Sequence, residues 1–121
     1  MGYRSDVVAA FYATPDRAAA MKLFVDENFP EELAGSLRPI DNKLYQGYLF
    51  EDENVKWYDS YPEVIAFNRF VSNYLELAEQ EEIKWCYEFV RIGEDSDDIE
   101  ETRSDYADYL VYPIRSINSD F

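Results

Sequence analysis

The sequence predicts an α+β fold in a single domain, residues 1–121, with an antiparallel sheet covered by helices. Three stretches carry that prediction. Residues 6–13, from Asp6 to Ala13, form a near-continuous apolar run suited to a central strand. Residues 62–81 repeat apolar side chains at helical spacing, and residues 83–92 alternate large side chains with a period of two.

Each element follows in order. After the first strand, Thr14-Pro15-Asp16 supplies an N-cap, a proline for the first helical position and an early acid. Ala18, Met21, Val25 and Phe29 then share one helical face, and Pro30 ends the helix. Residues 31–42 contain Gly35, Pro39 and Asn42 and read as a connection with at most a short helical turn. Residues 43–50 and 55–58 read as two strands of a hairpin whose acidic tip is Glu51-Asp52-Glu53-Asn54. Ser60-x-x-Glu63 has the spacing of a capping box, and Val64, Phe67, Val71, Tyr74, Leu75 and Ala78 line the second helix. In the next strand Trp85, Tyr87 and Phe89 oppose Cys86, Val90 and Ile92. Residues 109–117 close the chain as a strand that Pro113 confines to a sheet edge or a bulge. The first six elements thus run β-α-β-β-α-β, the order of a ferredoxin-like antiparallel sheet with two helices on one face, and the extra C-terminal strand extends an edge.

Charge narrows the function. Twenty-six acidic residues against 11 basic ones give a net charge of −15, which opposes binding to nucleic acid or to an anionic membrane and favours a basic protein partner. The strand aromatics Tyr45, Tyr48, Trp57, Trp85 and Tyr87 would suit base stacking, but the basic residues are too scattered to hold phosphates. Most of these rings are expected in the core, with two or three exposed.

The chain has no histidine, no phosphate loop and no nucleophile elbow, and its lone Cys86 lies in an apolar segment. The expectation is a protein that is not an enzyme and takes no cofactor. Asp95-Ser96-Asp97-Asp98 resembles the start of a calcium loop, yet Glu100 and Tyr106 stand where that loop needs glycine and a bidentate glutamate, so no metal site is expected. No apolar run is long enough to span a membrane, and MGYRSDVV lacks a signal-peptide layout, so a cytoplasmic location is expected.

The acidic residues are clustered. Residues 94–108 hold Glu94, Asp95, Asp97, Asp98, Glu100, Glu101, Asp105 and Asp108 against Arg103 alone, and the segment reads as a solvated loop at one rim of the sheet. Glu51, Asp52 and Glu53 add the hairpin tip. Glu76, Glu79, Glu81 and Glu82 crowd the end of the second helix, where the macrodipole favours cations. Same-side residues lie about 6.6 Å apart on a strand and i, i+4 neighbours about 6 Å apart on a helix, spacings that can imitate a phosphate array. These carboxylates are the candidate partner-binding residues of a DNA mimic. The competing reading is a regulatory binding module that uses exposed aromatics, with incidental acidity.

The segments MGYRSDVV, VKWYDSYPEV and FVRIGEDSDDIEE followed by YPIRSI resemble a group of small acidic bacteriophage proteins, mostly uncharacterised. The resemblance covers the two ends and the middle of the chain and carries no catalytic residues. It implies a location in the host bacterial cytoplasm. By analogy it also implies an inhibitor that occupies the nucleic-acid site of a host DNA-handling or defence protein, such as a restriction enzyme, a CRISPR effector or gyrase. The oligomeric state stays open, a homodimer being one arrangement.

Overall fold

The computed structural model describes residues 2–95, 97–114 and 116–121; Ser96 in the acidic stretch and Arg115 in the last expected strand lie outside the described residues. The chain forms β1 (Ser5–Ala13), α1 (Pro15–Asn28), a 3-10 helix (Glu31–Ser36), β2 (Leu37–Asp41), β3 (Gln46–Val55), α2 (Pro62–Ala78), β4 (Cys86–Ile92), β5 (Ile99–Arg103), β6 (Val111–Ile114) and β7 (Ser116–Ser119). The class is α+β, as the sequence predicts. Five strands form one sheet in the order β2-β3-β1-β4-β5, every neighbouring pair antiparallel, and β6-β7 is a separate small hairpin.

β1 is central and covered on both faces, which explains its unbroken apolar sequence. Val7, Ala9, Phe11 and Ala13 face Met21 and Val25 of α1 and Phe67, Phe70, Tyr74 and Ala78 of α2. Phe11 is the hub of that layer, meeting Phe29, Phe67, Phe70 and Tyr74 edge-on at centroid distances of 5.2–6.4 Å. Val8, Ala10 and Tyr12 point the other way, with Leu49, Cys86 and Val90, and are covered by Val111, Leu110, Ile117 and Phe121. Gly47 sits opposite Tyr12 in β3, where a Cβ would come within 1.9 Å of the Phe11 carbonyl oxygen, so no side chain fits.

Several boundaries differ from the sequence reading. The expected hairpin at residues 43–58 is instead the single strand β3, and its partner is β2, drawn from the segment read as a connection. Glu51, Asp52 and Glu53 are therefore strand residues, not a tip. They are tolerated because the end of β3 runs out into solvent, with Glu51 and Glu53 exposed. Between Ser5 and Val7 the register slips, since these pair with Val55 and Asp52; β3 carries an extra residue there, and Asn54 takes a left-handed φ of 54°. The real turn, residues 42–45, is closed by Asn42, whose Oδ1 accepts the N–H groups of Leu44 and Tyr45 at 2.9 and 2.8 Å. The capping box does not form: Pro62 opens α2, Tyr61 is the N-cap and no side chain caps it.

The largest departure concerns the last third of the chain. Part of the acidic stretch forms β5 and takes the sheet edge expected for the C-terminal strand. That strand is β6, which turns into β7 and packs across the second face of the sheet. An edge strand exposed along both faces can carry carboxylates that a core strand could not, whereas the apolar Val8, Ala10 and Val90 surface needed a cover.

The cover is fastened by Glu88, which is fully buried in β4 between apolar neighbours. Tyr12 Oη–H donates to its Oε2, as does the Leu110 N–H at 2.9 Å. Its Oε1 accepts the Val111 N–H at 3.0 Å and Arg103 Nε at 3.3 Å. Burial raises the Tyr12 phenol well above its ordinary value, opposed by the Asp108 N–H and reinforced by Glu88, so the hydroxyl keeps its proton to donate. Replacing Glu88 with Ala should strand four donors, the half-buried Arg103 guanidinium among them, and cost about 3–5 kcal/mol, read as a large fall in melting temperature, with Glu88→Gln losing less.

Candidate acidic interaction surface

The antiparallel register brings three segments to one rim of the sheet: the start of β1, the end of β3 and the turn from β4 to β5. Asp6 joins them. Its Oδ1 accepts the Asn54 N–H at 2.8 Å, and it lines a cleft with Arg4 and Glu94 on one side and another with Glu51, Asp52 and Glu53 on the other. Asp6 was not among the expected site residues, because one acid beside an apolar run carries no signal of its neighbours in space.

The acidic turn is locked. Gly93 N–H bonds the Asp98 carbonyl at 2.9 Å, and Asp98 N–H bonds the Asp95 carbonyl at 3.0 Å. Tyr3 Oη–H donates to Asp98 Oδ2 at 2.6 Å and accepts the Asp95 N–H at 3.0 Å. Arg91 grips Asp98 with two nitrogens, at 2.8 and 3.1 Å, and reaches Glu100 at 3.0 Å. A Cβ on Gly93 would lie 2.1 Å from Asp98 Oδ2 and 2.2 Å from Tyr3 Oη, so the clasp requires glycine there. The Glu94 carboxylate accepts the Arg4 N–H at 2.5 Å.

This geometry sorts the expected carboxylates. Asp98 and Glu100 pair with Arg91, Glu101 with Arg103, Glu51 with Arg38, and Asp108 accepts from Tyr45. Asp108 thereby pushes the Tyr45 phenol up to about 12. Asp95, Asp97, Glu53 and Asp52 have no side-chain partner among the described residues, and Asp52 is raised above the ordinary carboxylate range by burial. Glu79, Glu81 and Glu82 follow α2, whose start lies at the first rim, and so they fall at the opposite rim with Asp105 and Asp108; Glu76 lies in the last turn of α2. The main acidic segment, residues 94–108, expected as one loop at one rim, is divided between the two ends of the sheet.

Other groups are less available for chemistry. Cys86 is buried, which pushes its thiol up to about 12, and its Sγ–H donates to the Tyr106 carbonyl at 3.2 Å. Trp85 and Tyr87 are buried, and Tyr45, Tyr48 and Trp57 are half-buried. Tyr48 donates to Asp26 and Tyr45 to Asp108. No group of three or more His, Cys, Asp or Glu able to hold a metal ion occurs among the described residues. None of their helices is long and apolar enough to cross a membrane. Comparison with protein-family models, with curated proteins and with solved structures gave no match.

Sequence reasoning missed Glu88. Its signal was a charge at a period-two position inside the apolar strand CYEFV, but its partners Tyr12, Arg103 and Leu110 come from three distant segments.

The Arg91 guanidinium, and secondarily Tyr3, hold the Asp98 carboxyl below its ordinary value, so folding favours its ionised form. Its contribution is complete above the unfolded value of about 3.9 and is lost as the pH falls through the lower folded value. The melting-temperature gap between the parent and Asp98→Asn should therefore be widest near neutral pH and should narrow as the pH falls below the unfolded value of about 3.9. Asp52 has the opposite sign, since folding raises it, and Asp52→Asn should be neutral or stabilising at pH 7 in the same thermal series.

Proposed function

We propose that this chain is a non-enzymatic inhibitor of the phage type that lays its acidic rim into the nucleic-acid-binding site of a basic host protein, a DNA-handling or defence enzyme. The observation that carries the reading is a hydrogen-bonded turn and an adjoining strand end that present carboxylates with no side-chain partner among the described residues. Asp95 and Asp97 sit on a turn clasped by Tyr3, Gly93 and Arg91, and Asp52 and Glu53 project from the adjoining end of β3. Acids that only kept a chain soluble would need no such clasp. Fixed carboxylates lose little freedom on meeting a partner's Lys and Arg rows.

The alternative of an aromatic binding module has less to work with, since Tyr109 is the only exposed aromatic among the described residues and its ring already lies against Arg103 at 4.6 Å. We read β1 to β4 with the two α-helices as a ferredoxin-like core and β5 and the β6-β7 hairpin as additions to it, a reading supported by the antiparallel order β2-β3-β1-β4.

The test is competition. With a partner captured from host lysate, the protein should displace a labelled DNA duplex, and its affinity should fall by about 10-fold or more between 50 and 200 mM salt. The purified protein alone should show no saturable DNA binding. A ternary complex with the duplex still in its groove rejects mimicry. Combining Glu53→Gln, Asp95→Asn and Asp97→Asn should weaken partner binding at least about tenfold while leaving stability within about 0.5 kcal/mol per site.

A further inference from the structure

The two edges of the main sheet are built differently. β2 contains Pro39, which has no N–H to offer, and ties its Arg38 to Glu51. β5 has neither proline nor bulge, its residues Ile99 to Thr102 are exposed, and among the described residues β4 is its only substantial neighbour.

The ladder shows which β5 groups are unused. Gly93 N–H bonds the Asp98 carbonyl and Ser104 N–H bonds the Tyr87 carbonyl, both at 2.9 Å, at the two ends of the same β4-β5 register. Antiparallel bonding alternates, so Glu100 and Thr102 turn their backbone groups toward β4, while Ile99, Glu101 and Arg103 turn theirs outward. Ile99 N–H is taken by the Asp97 carbonyl at 3.1 Å. The N–H groups of Glu101 and Arg103 and the carbonyls of all three point away from β4 and have no partner among the described residues.

We propose that β5 is a docking edge that accepts an extended, Lys- or Arg-bearing segment of a partner protein as a sixth strand, a mode of binding that rests on the reading of the chain as a partner-binding inhibitor. Charge selects the occupant. Asp97 and Asp105, without a salt bridge among the described residues, flank the edge, while its own Glu100 pairs with Arg91 and its one cation, Arg103, is already bound to Glu88 and Glu101. A second copy is disfavoured: antiparallel pairing of two β5 strands about their centre sets Glu101 against Glu101, between chains of net charge −15. The same carboxylates that keep this edge from pairing with itself admit a basic strand, whose main-chain bonds give affinity while its alternate side chains meet the acids.

The probe is an acetylated, amidated seven-residue peptide alternating Lys with Val, compared with its fully N-methylated counterpart, which keeps every charge and loses every backbone donor. Both are titrated at about 50 mM salt and followed by NMR hydrogen exchange. The unmodified peptide should slow exchange of the Glu101 and Arg103 amides at least about tenfold, and the methylated one should bind at least about tenfold more weakly and protect neither. Glu101→Pro, which removes an outward donor without touching the β4 ladder, should abolish the protection at Arg103. Equal binding of the two peptides, no binding of either, protection mapped elsewhere, or Glu101 and Arg103 already protected in a self-associated species each overturn strand addition. The two readings fail separately. If the protein displaces DNA from its partner while the peptides bind equally, the acidic rim acts by charge alone; if the peptide result holds without displacement, the edge is real and mimicry falls.

Discussion

A buried carboxylate organises this protein. Glu88 stands in the middle of β4, on the face that β1 and β4 would otherwise leave apolar, and an ionisable group there is tolerable only if its oxygens are fully occupied. Four donors occupy them, and they come from β1, from β5 and from the segment leading into β6. That requirement decides where the last third of the chain goes. Leu110 and Val111 must present their N–H groups to Glu88, which brings the hairpin over the second face, and Arg103 must reach inward, which sets β5 against β4.

The acidic rim depends on the same arrangement at one remove. Once β5 is registered on β4, the connecting turn has to close over six residues, and Gly93 allows Asp98 and Tyr3 to meet where a side chain would intervene. Arg91 then pairs with Asp98 and Glu100, which leaves Glu94, Asp95 and Asp97 exposed and without a salt bridge among the described residues. Local net charge therefore overstates what the turn presents.

How far the sequence revealed this depended on whether each signal was local. β1, α1, α2 and β4 were legible because apolar periodicity at Phe11, Val25, Phe67 and Phe89 reports burial against any neighbour. β2 was not, because LRPID has a proline and an acid and buries little beyond Ile40. The end of β3 and all of β5 were read as turns, since carboxylates in a row look like solvent-exposed loop; both are strands whose ends or edges lie outside the core. Charge density located the acidic segment correctly in the chain. It could not show that Arg91 and Arg103 spend themselves on part of it, nor that α2 carries Glu79 to Glu82 to the far end, because those are consequences of three-dimensional register.

The central position of β1 has a consequence for how the chain is made. Every strand it bonds lies downstream: Ala13 must wait for Gln46, and Tyr12 for Cys86. At typical rates of synthesis the first apolar strand emerges from the ribosome on the order of ten seconds before β4 exists to flank it. Throughout that interval VVAAFYA is a sticky segment without a partner, the kind of stretch that pairs with its copy on a neighbouring nascent chain. The carboxylates that follow it, from Asp16 through Glu32 and on to Glu51, give each growing chain a small negative charge before the sheet closes. Arg17, Lys22, Arg38 and Lys43 offset most of that charge, so the chain meets this interval with little electrostatic protection, the bulk of its acid arriving only after β3 has begun.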